Sequence, residues 1–217
     1  MKLETYKRIL SSIILTPITF FFVIKGSFLF YSFLLLCFLI TLYEWHMMAK
    51  KKSYYIFGYF FLIFSFYTVY YVRSDLGENS LLIFLSITLL CIFTDLGGYI
   101  FGKIFKGPKL TKISPKKTYS GVFGSFFVSI IFSYFFINYS HMFTIRDIHF
   151  GYNEFFFVLL ISIVSQIGDI TVSYFKRLSK LKDTGKLIPG HGGILDRIDG
   201  MIFAFPFFYI FNFFMPL

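Results

Sequence analysis

A bundle of about seven membrane-spanning helices, all-α and with its N-terminus in the cytoplasm, is the fold class that this sequence predicts. Three observations carry that expectation. Apolar residues make up 57% of the 217 positions and the mean hydropathy is +0.73, more apolar surface than one soluble core of this size can hide. These residues gather into runs of roughly 20, the length that crosses the hydrocarbon of a bilayer. The charges fall between the runs, and every second loop is basic.

In chain order the runs cover 9–25, 27–45, 54–72, 80–102, 120–138, 154–175 and 200–216. The first follows Lys2, Lys7 and Arg8 in the manner of a signal peptide. It lacks a small-residue cleavage pattern and another run follows at once, so it reads as an uncleaved span. Lys50, Lys51 and Lys52 follow the second run. Arg73, offset by Asp75 and Glu78, follows the third. The loop after the fourth carries Lys103, Lys106, Lys109, Lys112, Lys116 and Lys117 with no acid among them. Arg146 faces Asp147 after the fifth run, and Lys176, Arg177, Lys180, Lys182, Lys186 and Arg197 follow the sixth. This alternation places the N-terminus and the basic loops in the cytoplasm and the C-terminus outside, which requires an odd number of spans. Pro17 and Pro206 lie inside runs and predict kinks whose freed backbone groups are satisfied by neighbouring helices. The connections leave no room for a separate soluble domain. Residues 1–217 therefore read as a single membrane-embedded domain, with N-terminal spans over 1–80 and the catalytic part over 81–217.

The net charge is +10. In a soluble chain that would suggest nucleic acid. Here the cations sit in short loops against apolar runs, so anionic lipid or phosphorylated substrates are the expected partners and nucleic acid is not. Cys37 and Cys91 lie inside runs and read as small buried hydrophobes, with no disulfide framework or zinc motif.

Chemistry is expected where polar residues occupy the wrong solvent. Asp169 shares a helix face with Ser165 and Ser173, each four residues away, and Lys176 and Lys180 fall near the same stripe. A carboxylate in a span costs about 2.5–3.5 kcal/mol on insertion scales, so Asp169 is expected to face a wet cavity, a cation or a basic partner. Asp95 meets the same penalty. Gly97, Gly98 and Gly102 follow it, and they suit either close helix packing or close approach to a phosphate. In the stretch Lys112-Ile-Ser-Pro-Lys-Lys-Thr118, Lys116 and Lys117 precede a new run, where helix N–H groups add to an anion site. It is not a Walker loop, and for the two lysines alone ordinary positive-inside decoration is the favoured reading. Asp196 and Asp199 are three apart, so on a helix both face one way. With Asp169 they suit a divalent cation that also binds substrate phosphates. Gly190, Gly192 and Gly193 around His191 form a loop able to approach a ligand; a tight re-entry turn with a surface charge cluster is the plainer reading.

Together, Ser173-x-x-Lys176-Arg177, Lys182-Asp183-x-Gly185 and Pro189-Gly190-His191-Gly192-Gly193-Ile194-x-Asp196-Arg197-x-Asp199 resemble the full signature of the phosphatidate cytidylyltransferases (CDP-diacylglycerol synthases). Asp95 with its glycines and Tyr99, Ile113 to Thr118, and Glu44-Trp45 resemble the same family. The sequence departs from the family where Ser120 replaces the usual acid before Gly121 and where Leu96-Gly97-Gly98 follows Asp95. The resemblance implies a nucleotidyltransferase of phospholipid biosynthesis that joins CTP to phosphatidic acid, releasing pyrophosphate. It implies Mg²⁺, with room for a second cation, on Asp169, Asp196 and Asp199. It implies nucleotide or phosphate contacts for Lys176, Arg177, Lys182, Asp183, His191 and Arg197, with Asp95, Lys116, Lys117 and Ser173 in the same site. A bacterial inner-membrane location, a cytoplasmic active site and a homodimer are the corresponding expectations. The rivals are a CTP-dependent lipid kinase and a small ion transporter.

Overall fold

The computed structural model describes residues 2–111, 113–140, 150–190 and 192–214. They form eight α-helices: α1 (Lys2–Lys25), α2 (Ser27–Ala49), α3 (Tyr55–Ser74), α4 (Ser80–Phe105), α5 (Tyr119–Ser140), α6 (Tyr152–Leu178), α7 (Leu195–Ile198) and α8 (Met201–Phe214), with a 3₁₀ turn at Gly77–Asn79. No β-strand occurs among the described residues; the only strand-like pairings there are isolated bridges, Lys109 with Thr118 and Ile188 with Gly192.

Five helices are long and apolar enough to cross a membrane: α2, α3, α4 with its preceding turn, α5 and α6. The expected seven spans are therefore matched by five, together with two shorter apolar stretches, Ile13–Lys25 and Met201–Phe214. At a rise of about 1.5 Å per residue a 14-residue helix such as α8 reaches about 21 Å, short of the roughly 30 Å hydrocarbon. The protein is an integral membrane helical bundle; among the described residues the apolar stretches of α1 and α8 fall below the length of a full span.

Helix α8 packs against α3, α4 and α6. Its Ala204, Phe205 and Phe208 sit with Phe30, Val72, Phe84, Ile87, Leu90, Cys91, Val158 and Ile161 in one buried cluster. A second cluster, Trp45, Met48, Ala49, Leu62, Phe66, Val172, Leu195 and Ile202, lies beside the Pro189–Asp199 segment. The most extensive helix pair is α4 against α5. Glycine makes that approach: a Cβ on Gly97 would strike the Gly124 carbonyl, and one on Gly98 would meet Ser125 Oγ at 2.7 Å. Close helix packing is thus one use of these glycines, and Gly98 also lines the polar cavity between α4, α5 and α6.

Pro206 shows how a bundle absorbs a proline. It has no N–H to give the carbonyl of Ile202, one turn back. Ser65 Oγ of α3 lies 2.7 Å from that carbonyl, as well as 2.9 Å from its own helix's Phe61 carbonyl. The freed acceptor is satisfied by a neighbour, as the position of Pro206 predicts. Ser65→Ala should destabilise the protein by about 1–3 kcal/mol, the cost of stranding a buried acceptor. In the double variant Ser65→Ala/Pro206→Ala the new N–H at 206 restores a donor, so the loss should fall short of the Ser65→Ala loss. Thermal unfolding in detergent reads both.

Candidate active site

Glu44, near the end of α2, is buried and bears no ion pair among the described residues. Its Oε1 accepts the backbone N–H of Ile194 at 2.9 Å, and its Oε2 accepts that of Leu195 at 2.9 Å and lies 3.0 Å from Thr184 Oγ1. These are the free donors at the start of α7, so a carboxylate from another helix caps it. Asp196, the second residue of α7, turns back to the same loop. Its Oδ2 accepts the N–H groups of Thr184 (2.8 Å) and Gly193 (3.0 Å), with Thr184 Oγ1 at 3.0 Å, and its Oδ1 accepts Lys176 Nζ at 2.8 Å. Burial raises the affinity of the Asp196 carboxyl for a proton, but the Lys176 hydrogen bond and the Gly193 amide, together with the Lys176 charge and the Thr184 amide, outweigh it. Asp196 is held below the usual carboxylate range.

The glycines of this loop are required by those carboxylates. A Cβ on Gly193 would collide with Glu44 Oε2 and Thr184 Oγ1, one on Gly185 would meet Glu44 Oε1 at 2.7 Å, and one on Gly192, whose φ is +86°, would meet Asp196 Oδ2 at 2.6 Å. The expected approach of backbone to a ligand is, in the structure, an approach of backbone to two side chains of the protein. His191, the centre of the expected loop contact, lies outside the described residues.

On the other face of the segment is a polar cavity of about 270 Å³ between α4, α5, α6 and the turn before α5. Asp95, Tyr99, Ser114, Lys116, Lys117, Thr118, Ser125, Gln166 and Asp169 are among its walls. Lys117 Nζ makes an ion pair with Asp169 Oδ2 at 2.6 Å and reaches the Gln166 carbonyl at 3.4 Å. Ser173 Oγ donates to Asp169 Oδ1 at 3.3 Å. Asp199 is buried and its Oδ1 accepts the Gly200 N–H at 3.0 Å. Burial, then the charges of Asp169 and Asp95, push its carboxyl well above the usual range, against the opposing charges of Lys176 and Lys117.

Of the three carboxylates expected to share a metal, Asp169 is paired with Lys117 and Asp196 with Lys176 in the metal-free structure. Asp196 is committed to Lys176 and to the loop amides, and among the described residues no three His, Cys, Asp or Glu side chains form a metal-holding group. Helix α7 is one turn long, and Asp199 follows it with α-helical backbone angles. What stands near Asp199 is Asp169 and Asp95, a set of hard oxygen donors whose mutual repulsion a cation relieves. That fits Mg²⁺, which takes one or two carboxylates and completes its shell from phosphates and water, rather than a closed cage of three.

Of the other expected residues, Lys116 faces the cavity and Lys176 is buried beneath it, whereas Lys182, Asp183 and Arg197 are exposed. Arg177 is exposed on the far side of α6 and donates from Nη1 to the Leu181 carbonyl at 2.9 Å. Glu44, Thr184 and Gln166 are additions. Only Glu44 left a trace in the sequence, as an acid at the end of an apolar run.

A family model described as the cytidylyltransferase family matches residues 74–215, which contain the cavity, α7 and the glycine loop. The chain belongs to the cytidylyltransferase family. Among curated proteins it is 34% identical to the phosphatidate cytidylyltransferase of Rickettsia typhi, over 99% of this chain and 94% of that one. It is 32% identical to that of Rickettsia bellii over 97% and 92%. It is 39% identical to that of Haemophilus influenzae over 63% of this chain and 48% of that one. In this cytidylyltransferase Glu44 lies ahead of the segment that the family model matches, yet ties directly to the residues within it.

Glu44→Ala should strand the Ile194 and Leu195 amides at about 1–3 kcal/mol each, lowering the unfolding temperature in detergent. The two aspartates should differ in pH dependence. Asp196 binds its proton less tightly folded than unfolded, so it stabilises above the usual carboxyl pKa of 3.8 and that stability is lost as pH falls below it. Asp199 binds its proton more tightly when folded, so the fold loses stability as pH rises from 3.8 through the raised value. At neutral pH in chelator, Asp199→Asn should therefore raise the unfolding temperature and Asp196→Asn should lower it; equal shifts would contradict the division of roles.

Proposed function

We propose that the protein is a phosphatidate cytidylyltransferase, converting CTP and phosphatidic acid to CDP-diacylglycerol and pyrophosphate at the cytoplasmic face of a bacterial inner membrane. The observation that carries this reading is the cavity itself: lysines and carboxylates gathered at the C-terminal end of α4 and beside Asp169 of α6 in a bundle otherwise suited to lipid. The basic loops support the cytoplasmic orientation, since the lysines lining the cavity belong to one of them.

In the reaction an oxygen of the lipid phosphate forms a bond to the α-phosphorus of CTP while the bond from that phosphorus to the β-phosphate's bridging oxygen breaks. Pyrophosphate leaves with the electron pair. The nucleophile is already anionic at neutral pH, so no side chain need remove a proton. The work of the protein is to hold two anions together and to stabilise charge on the leaving group. Lys116 and Lys117 at the cavity wall are suited to phosphate oxygens, and Thr118 and Ser125 supply hydroxyl donors. Asp169 keeps Lys117 in the cavity before substrate arrives. Lys176 and Glu44 hold the Asp196 turn, which sets where Asp199 stands. Asp169 and Asp199, with Asp95 beside them, would hold Mg²⁺, which supplies charge neutralisation between the two phosphates and polarises the α-phosphate. A second cation belongs to the same reading.

Detergent-purified protein should release pyrophosphate from CTP only when phosphatidic acid and Mg²⁺ are both present. Asp169→Asn should lower kcat by a hundredfold or more, on the order of the loss when electrostatic stabilisation is removed from an active site, with the folded helical content unchanged. Release of CDP and a lipid phosphate instead of pyrophosphate would replace this reading with that of a lipid kinase.

A further inference from the structure

The proposed reaction takes a lipid whose hydrocarbon needs a place while its phosphate is at the reactive centre. Helix α1 offers the first observation. Each of residues 13–18 is exposed, Ile13 at 63% and Ile14 at 51%. Six successive helical residues point in every direction around the axis, so this stretch of α1 stands clear of the bundle on all sides. Both of its flanks are tied down. On one, Ser11 Oγ donates to the Pro189 carbonyl at 3.2 Å. On the other, Arg73 of α3 donates from Nε and Nη2 to the carbonyl of buried Val23 at 3.0 and 2.9 Å. A helix pinned at two points and free between them leaves a side opening in the bundle.

Directly beyond that stretch, from Thr19 to Val23, α1 covers an apolar cavity of about 130 Å³. Leu34 and Cys37 of α2 and Phe84 and Thr88 of α4 line it, and so does Ile198, the residue before Asp199. The cavity therefore begins beside the reactive carboxylates. From there it runs away from the basic loops: Phe84 precedes Asp95 by eleven residues on α4, about 16 Å along the axis. A lipid chain takes that direction from a phosphate held at Asp199. No charged side chain is among the described residues of the wall. Thr19 Oγ1 donates to the Leu15 carbonyl at 2.9 Å, and Thr88 Oγ1 is buried without a hydrogen-bond partner among the described residues. An ordered water needs two or more polar partners, and this wall does not supply them. A nucleotide would bring uncompensated charge into it. Hydrocarbon matches it. In lipid the hydrophobic effect gives a chain no reason to leave its neighbours, but an unfilled cavity does, because its lining lacks contact atoms on one side.

We infer that this cavity seats one acyl chain of phosphatidic acid, which enters through the opening beside residues 13–18 of α1. The inference rests on the cytidylyltransferase reading for its choice of lipid. Only the chain is held apart; the lipid phosphate stays in the centre shared by Asp169 and Asp199, where it meets the α-phosphorus of CTP. Helix α1, which lies outside the segment 74–215 matched by the family model, thereby takes part in substrate binding.

The test uses full-length protein in mixed micelles and a phosphatidic acid whose oleoyl-length chain carries a diazirine near its end. On illumination the adducts should fall on cavity residues of α1 and α2, Phe20 and Leu34 among them. Excess dioleoyl phosphatidic acid should suppress these adducts, and dioleoyl phosphatidylcholine should not. Adducts confined to outward residues such as Phe60 and Phe123 overturn the assignment. So does equal suppression by both lipids, which marks a seat for any membrane lipid. A second measurement narrows the cavity and follows steady-state pyrophosphate release. Thr88→Phe should raise KM for dioleoyl phosphatidic acid about tenfold, the low end of what a hydrophobic pocket discriminates. KM for CTP should not move, nor KM for dibutyryl phosphatidic acid, which has little chain to place. Ile92→Phe, on the exposed face of α4, should move none of the three. A folded Thr88→Phe protein with an unaltered KM for dioleoyl phosphatidic acid also overturns the assignment; if that variant does not fold, the adducts on the wild-type protein decide alone. Wild-type protein that gives the cavity adducts yet releases no pyrophosphate would sink the proposed reaction and leave the acyl-chain seat standing.

Discussion

The rest of the site depends on a buried carboxyl group that reaches main-chain amides across the bundle. Burial of Glu44 is tolerable because backbone amides at the start of α7 and the Thr184 hydroxyl surround it. In return it stops a one-turn helix, too short to hold itself together, from fraying. Asp196 braces that helix from the loop side, and Lys176 braces Asp196 from α6. Three helices and a glycine loop thus meet at two carboxylates, and the position of Asp199 is a consequence of that meeting.

This arrangement separates structural charge from chemical charge. Asp196 is comfortable as an anion and its contacts are complete, which suits a brace. Asp199 is uncomfortable, buried within reach of two other acids. A group that the fold leaves in an unfavourable state is where a bound cation or substrate has most to gain, and such tension is typical of functional sites.

Much of the fold was legible because lipid imposes a simple rule on sequence. The runs 27–45, 54–72, 80–102, 120–138 and 154–175 each became a helix extending a few residues beyond its apolar stretch. The run 200–216 was also apolar; its helix begins at Met201 behind the Gly200 turn, and the described part, to Phe214, is 14 residues long. The aspartates Asp95 and Asp169, set inside apolar runs, were legible by the same rule, read in reverse, and they do face one cavity. That Asp196 is held by Lys176 and the loop amides was not legible from its spacing with Asp199. Glu44 was visible as a residue but not as a brace. Its partners are main-chain N–H groups, and every residue but proline has one, so no side-chain pattern marks them. The division of Lys176 from Arg177 was equally hidden, since neighbours in sequence gave no sign of which would turn inward.

The braces of Glu44 join positions 150 and 151 apart in sequence. During synthesis α2 emerges and enters the bilayer while most of the chain, including α7, does not yet exist. Helices close in sequence can pair as they appear, but the acid at the end of α2 has to remain in the wet interfacial layer, hydrated, until nearly the whole polypeptide has been made. Assembly of the reactive centre is thereby a closing event of biogenesis, and a chain released early carries inserted helices without a functional core.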